Sequence, residues 1–183
     1  PGTADFLVPA RSGRSALQIR VRTPSGDHPR PLVLWSPGLG SGLGGGAAWC
    51  EAWQAAGLMV VTVSHPQTND GLWDPAAGSF QNRMALALQA HQYAARVDDC
   101  KQVLSACLSD ATLAPRIDAQ RLGAAGHSYG ALTVQSLVGQ AGPTQQDSRI
   151  RAAIALSPGA GSRESAQRMA RVGVPFLSVI GSH

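Results

Sequence analysis

Lysine is almost absent from this chain: Lys101 stands alone beside fourteen arginines, which are scattered and form no block. Aromatic residues amount to 5% and are not interleaved with the basic ones, so the basic stripe that tracks a nucleic-acid backbone is missing. A phosphate-binding P-loop is excluded too, because its lysine must follow a glycine-rich turn and Lys101 falls in a helical stretch. No apolar run exceeds strand length; residues 58–63 are typical, far short of the roughly 20 residues a membrane span needs. Cysteine is scarce, with Cys50, Cys100 and Cys107 and no C-x-x-C pair, which removes a zinc ribbon and a thioredoxin-type motif. Cys100 and Cys107 lie two helical turns apart, about 10 Å, too far for a disulfide within one helix. Buried thiols are the simplest reading for all three, with a pairing to Cys50 left open. With no H-E-x-x-H motif or clustered ligand set, neither a metal nor a cofactor is expected.

What is present is the composition of a compact domain: 44% hydrophobic and 14% charged residues over 183 positions, enough for one core and too short for two. Residues 4–9 and 16–22 alternate apolar and polar, as an edge hairpin does. Residues 32–35 (LVLW) form a continuous apolar run, the mark of a parallel strand covered on both faces. A helix over 47–56 and a second buried strand over 58–64 follow. Residues 67–78 read as loop. Residues 80–108 read as helical, the first part, 80–95, being a separate helix or a surface excursion. Val97, Cys100, Leu104, Cys107 and Ala111 trace one buried stripe. Strands at 121–126, 150–156 and 174–180, with a helix at 131–138, complete an alternating order. That order predicts an α/β fold: a mostly parallel central sheet, helices on both faces, and an antiparallel N-terminal edge hairpin, all in a single domain.

The chemistry centres on Gly126-His127-Ser128-Tyr129-Gly130, a G-x-S-x-G turn between a small-residue strand and a helix. Such an elbow exposes the serine hydroxyl and leaves the next backbone N–H, from Tyr129, free at a helix N-terminus to face an oxyanion. The competing reading is a serine that merely caps the following helix. A second oxyanion donor is expected from the loop after an earlier strand. Leu39, between Gly38 and Gly40, suits it, since glycines on both sides let its N–H approach a substrate; the alternative is a plain proline–glycine turn.

Gly40-Ser41-Gly42-Leu43-Gly44-Gly45 also satisfies the dinucleotide pattern G-x-G-x-x-G. That fold needs an acid at the end of the next strand, where Ser64-His65-Pro66 stands instead. Among the histidines, His127 is the elbow's neighbour and His28 and His91 fall in a turn and a helix. His65 ends a strand ahead of the serine, which suits a pocket-lining or structural role better than that of a base following the serine in the chain. His183 closes the last strand, where an acid would be placed, and Glu164 is a reserve acid. Asp98 and Asp99 read as a solvated helix face.

The motifs 36–40 (SPGLG), 61–66 (VTVSHP), 126–130 (GHSYG), 149–158 (RIRAAIALSP) and 174–182 (VPFLSVIGS) together resemble the α/β-hydrolase superfamily. More narrowly they are similar to its bacterial branch of platelet-activating-factor acetylhydrolases and predicted dienelactone hydrolases; cutinase-type polyester hydrolases are more distant. The resemblance covers residue 31 onward. It implies Ser128 as nucleophile, Leu39 and Tyr129 as backbone oxyanion donors, and a small or lipid-like ester as substrate. Two departures stand out: the family has histidine where Pro37 stands, and dienelactone hydrolases proper use cysteine where Ser128 stands, which points to ester hydrolysis. The resemblance places the acid just beyond His183 and the histidine further on, so residues 1–183 are expected to be a hydrolase domain without its C-terminal part, nearly inactive alone. The other expectation is a non-catalytic α/β module. The chain opens Pro1-Gly2 without a methionine; compartment and oligomeric state stay open.

Overall fold

The structure, a computed structural model, describes residues 1–11, 13–159 and 163–181, and for residues 70, 71 and 163–165 the backbone only. Seven strands form one sheet: β1 (Gly2–Val8), β2 (Leu17–Thr23), β3 (Arg30–Ser36), β4 (Met59–Val63), β5 (Ile117–His127), β6 (Ile150–Leu156) and β7 (Phe176–Val179), in the spatial order β1-β2-β4-β3-β5-β6-β7. β1 pairs antiparallel with β2, and β2 with β4, while every pairing from β4 to β7 is parallel. The expected edge hairpin and mostly parallel sheet are therefore present.

Among the described residues five α-helices accompany the strands: α1 (Ala47–Ala55), α2 (Phe80–Ala87), α3 (Ala90–Ser109), α4 (Tyr129–Leu137) and α5 (Arg163–Met169). The helical reading of 80–108 holds, with the first part a separate helix, α2, that ends at Ala87 and not near residue 95, since α3 already begins at Ala90. The region read as loop at 67–78 contains two short helical turns, Asp70–Trp73 and Pro75–Ala77. Val97, Cys100, Leu104 and Cys107 are buried on α3 as expected. Ala111 is not: α3 ends at Ser109, Ala111 is exposed, and Leu113 turns back into the core instead.

Strand periodicity distributes the core to two faces, because successive side chains point to opposite sides. On β3, Leu32 and Leu34 join the larger cluster with Val97, Cys100, Val103 and Leu104 of α3 and Val134 and Leu137 of α4. Trp35 turns the other way and meets Cys50 on α1, Val60 and Ala125, with Val33 and Trp53 alongside. β4 repeats the split, Met59, Val61 and Val63 on one face and Val60 on the other. Burying one leucine or valine in this way stabilises by about 1.5–3 kcal/mol. The cysteines are free and buried; Cys50 belongs to one face and Cys100 and Cys107 to the other, which answers the pairing left open.

After β4 the chain crosses β3 to lay down β5 on its far side. Open α/β sheets bind ligands beyond the strand carboxyl ends where the order reverses in this way. Ser36 and Gly126 are register partners, so the loop leaving β3 and the elbow leaving β5 emerge side by side.

Candidate active site

Ser128 has φ 53° and ψ −116° and stands at the N-cap of α4, yet its hydroxyl makes no capping hydrogen bond. A left-handed backbone at a non-glycine residue costs on the order of 1–3 kcal/mol and is held by its surroundings. Here those are visible. The Ser128 N–H donates to the Leu156 carbonyl on β6 (2.8 Å), and its carbonyl accepts from the Ala131 N–H (2.9 Å). The side chain is exposed. A structural cap would show the missing hydrogen bond, so capping does not explain this serine.

The two glycines of the motif have separate reasons. A Cβ on Gly126 would stand 2.4 Å from the Gly130 carbonyl oxygen, and one on Gly130 would stand 1.9 Å from that of Ser36. Strand, helix and the end of β3 touch backbone to backbone, which fixes the elbow against the neighbouring loop.

That loop, residues 37–46, passes against the elbow: a Cβ on Gly38 would meet Nδ1 of His127 at 3.4 Å and Cβ of Ser128 at 3.6 Å. Neither Leu39 nor Tyr129 has a protein acceptor for its backbone N–H among the described residues. Leu39 thus follows the glycine that lies against Ser128, and Tyr129 follows the exposed, uncapped hydroxyl in the chain.

Behind the loop lies a buried polar network. Arg96 of α3 donates through Nη2 to the Pro37 carbonyl (2.5 Å) and Ser36 Oγ (3.1 Å), through Nη1 to Thr68 Oγ1 (2.5 Å), and through Nε to Thr133 Oγ1 (3.1 Å). Its guanidinium lies 4.9 Å from the centre of the Tyr129 ring. Burial lowers its pKa to about 10, so it remains cationic at neutral pH. One side chain therefore ties the β3 loop to the residue that follows Ser128. Asn69, also buried, accepts from the His65 N–H (2.6 Å) and donates to the Gly38 carbonyl (3.0 Å). The Gly40 N–H donates to the Thr68 carbonyl (2.8 Å), and Trp73 Nε1 to the Gly40 carbonyl (2.7 Å).

His65 faces this network and not the elbow. Its side chain is 1% exposed, with Nδ1 2.9 Å from Asp99 Oδ2 and Nε2 3.0 Å from Ser36 Oγ. Burial, then the positive charge of Arg96, lowers its pKa to about 4. The neutral ring donates from Nδ1 to the carboxylate and accepts the Ser36 hydroxyl proton at Nε2. His65 does border a cavity of about 160 Å³, with Arg14, Gln92 and Asp99, but Ser128, Leu39 and Tyr129 are not in its lining. The pocket role expected of His65 thus belongs to a space away from the serine.

Asp98 is exposed as expected, but Asp99 is buried and also accepts from Arg14. The reason is helical phase: Arg96 precedes Cys100 by four residues and Asp99 precedes Val103 by four, so both charges ride the apolar side of α3. Ionisable residues on that side were the available signal. Asn69 had none, sitting in a stretch that read as plain loop. Among the described residues no group of His, Cys, Asp and Glu could hold a metal ion, and no helix is long and apolar enough to cross a membrane. The side chain of Glu164 and all of His183 lie outside the described residues.

No family model and no curated protein matches this sequence. Solved structures do. The chain is similar to a ferulic acid esterase from Streptomyces cinnamoneus at 20% identity and TM-score 0.64, covering 96% of this chain and 70% of that one. A putative dienelactone hydrolase from Klebsiella pneumoniae subsp. pneumoniae matches at 15% identity and TM-score 0.67, over 97% of this chain and 72% of the other. The Pyrococcus horikoshii acylaminoacyl peptidase matches at 18% identity and TM-score 0.61, over 84% of this chain and 22% of its own. These likenesses establish the fold: the chain adopts the α/β-hydrolase fold.

Proposed function

We propose that the full-length protein is a serine hydrolase that cleaves carboxylic esters of small or lipid-like molecules. The observation carrying this reading is the exposed, uncapped Ser128 at φ 53°, beside the unengaged N–H groups of Leu39 and Tyr129. Ser128 Oγ attacks the ester carbonyl carbon and gives its proton to a general base. The carbonyl oxygen becomes an oxyanion and accepts from the two N–H groups. Collapse expels the alcohol, which takes the proton, and leaves an acyl-enzyme; water then attacks it and releases the carboxylic acid and Ser128. The base and its carboxylate partner belong to residues outside those described, since His65 is committed to Asp99 and Ser36. The similar structures, an esterase, a putative hydrolase and a peptidase by name, support chemistry at a carbonyl.

One observation favours a second reading, a non-catalytic module: among the described residues no imidazole bonds to Ser128. Turnover of p-nitrophenyl butyrate by the full-length protein separates the two. Hydrolysis that disappears in S128A supports the enzyme, and a folded protein with no turnover of short or long p-nitrophenyl esters supports the module.

A further inference from the structure

We infer that Asn69 is a positioning residue for the oxyanion site: by holding the Gly38 carbonyl it aims the Leu39 N–H at the oxygen developing over Ser128. The inference rests on the serine-hydrolase reading above. Gly38 O and Leu39 N–H belong to one peptide unit, and no peptide bond among the described residues is cis. In a planar trans peptide the C=O and N–H point in opposite directions, so fixing one fixes the other. Asn69 Nδ2 donates to Gly38 O at 3.0 Å from a side chain that is 0% exposed.

The amide cannot turn over, because its other end is claimed. Oδ1 accepts the His65 N–H at 2.6 Å, and the Asn69 N–H is itself bonded to the His65 carbonyl at 2.8 Å. On the far side of Leu39 the Gly40 N–H is tied to the Thr68 carbonyl at 2.8 Å. The peptide is thus fastened from both flanks to the turn after β4. Its one remaining polar group, the Leu39 N–H, has no protein partner among the described residues and is left to a ligand. Gly38 Cα meanwhile lies against the elbow, a Cβ there reaching to 3.6 Å from Ser128 Cβ.

Asn69→Asp isolates this bond. It keeps an acceptor for the His65 N–H and replaces the donor toward Gly38 O with an oxygen that repels it, so the carbonyl keeps only the longer bond from the Ser41 N–H at 3.2 Å and the peptide is less firmly aimed. Full-length wild type and N69D are compared for kcat and KM on p-nitrophenyl butyrate, and for inhibition by a trifluoromethyl ketone, whose hemiketal oxyanion needs the same donors. Loss of one aimed donor lowers kcat on the order of 100-fold, with KM within about threefold and the ketone's Ki raised in parallel with the fall in kcat. A merely structural asparagine would lower the melting temperature without that split. A folded N69D with kcat and Ki within about threefold of wild type overturns the proposal alone. A folded wild type that neither hydrolyses p-nitrophenyl butyrate nor reacts with a fluorophosphonate overturns the hydrolase reading and this proposal with it. Should N69D not melt cooperatively, N69S, uncharged and too short to span to Gly38 O, takes its place with the same readouts.

Discussion

Two serines end adjacent parallel strands in this molecule, and their surroundings could hardly differ more. Ser36, at the end of β3, has the partners of a hydrolytic triad: His65 Nε2 at 3.0 Å and, on the other ring nitrogen, Asp99 at 2.9 Å. Ser128, at the end of β5, has no side-chain partner among the described residues. Yet Ser36, His65 and Asp99 are 1%, 1% and 3% exposed, while Ser128 is open to solvent on a strained backbone. A triad requires a nucleophile that a carbonyl carbon can reach at about 3 Å, and no substrate reaches Ser36. The network around it is a brace that joins the ends of β3 and β4 to α3 and stiffens the loop carrying Leu39. Hydrogen-bond connectivity alone therefore does not mark a reactive serine, because a substrate must also have access to it.

The sharpest break in this comparison is to remove each hydroxyl in turn from the full-length protein. S128A is expected to lower kcat by about 10⁴-fold or more with an unchanged melting temperature. S36A is expected to retain turnover and to lose about 1–2 kcal/mol of stability, because Arg96 and His65 each lose a buried partner; urea or thermal unfolding measures it.

Arg96→Met comes next. It fills the volume but leaves the Pro37 carbonyl and the Thr68 and Thr133 hydroxyls without their donor, at a cost of ~3 kcal/mol. In a domain of this size that is a fall in Tm of about 10 °C, with slower ester turnover as the loop loosens. An unchanged Tm would show that the guanidinium is not the brace described here.

The last test is a pH dependence, whose size at any one pH within the window is a fraction of the whole shift. The folded His65 pKa, about 4, lies below the ordinary histidine value of 6.5. The unfolded chain therefore binds the proton first, and acid favours unfolding. The stability that neutral His65 contributes is fully present above pH 6.5 and is lost as pH falls toward 4, with a slope of up to about 1.4 kcal/mol per pH unit. Denaturant midpoints across that window should fall more steeply for wild type than for His65→Gln, and parallel curves would remove His65 from the account.

How much of this was legible in the sequence follows the same division. The strands, the elbow and the Leu39 loop were readable because each depends on local pattern: short apolar runs, small residues before Ser128, glycines at contacts with no room for Cβ. Helix ends were less so. α4 begins at Tyr129, immediately after the serine, where the pattern suggested Ala131, and Ala111 fell off the stripe because α3 stops at Ser109. The brace was not readable. Arg96 bonds to residues 28, 37, 59 and 60 positions away, and such contacts exist only once the sheet has assembled. An arginine and an aspartate on the buried side of α3, and a strand-end His65 suited to a pocket-lining or structural role, were its traces, and Asn69 left none.

The central claim is that Ser128, not Ser36, is the reactive hydroxyl. Treating the full-length protein with a fluorophosphonate, digesting it and mapping the adduct by mass spectrometry tests this directly. The account predicts a single stoichiometric adduct on the peptide carrying Ser128 and none on Ser36. An adduct on Ser36, or no adduct on a protein that still melts cooperatively, would contradict it.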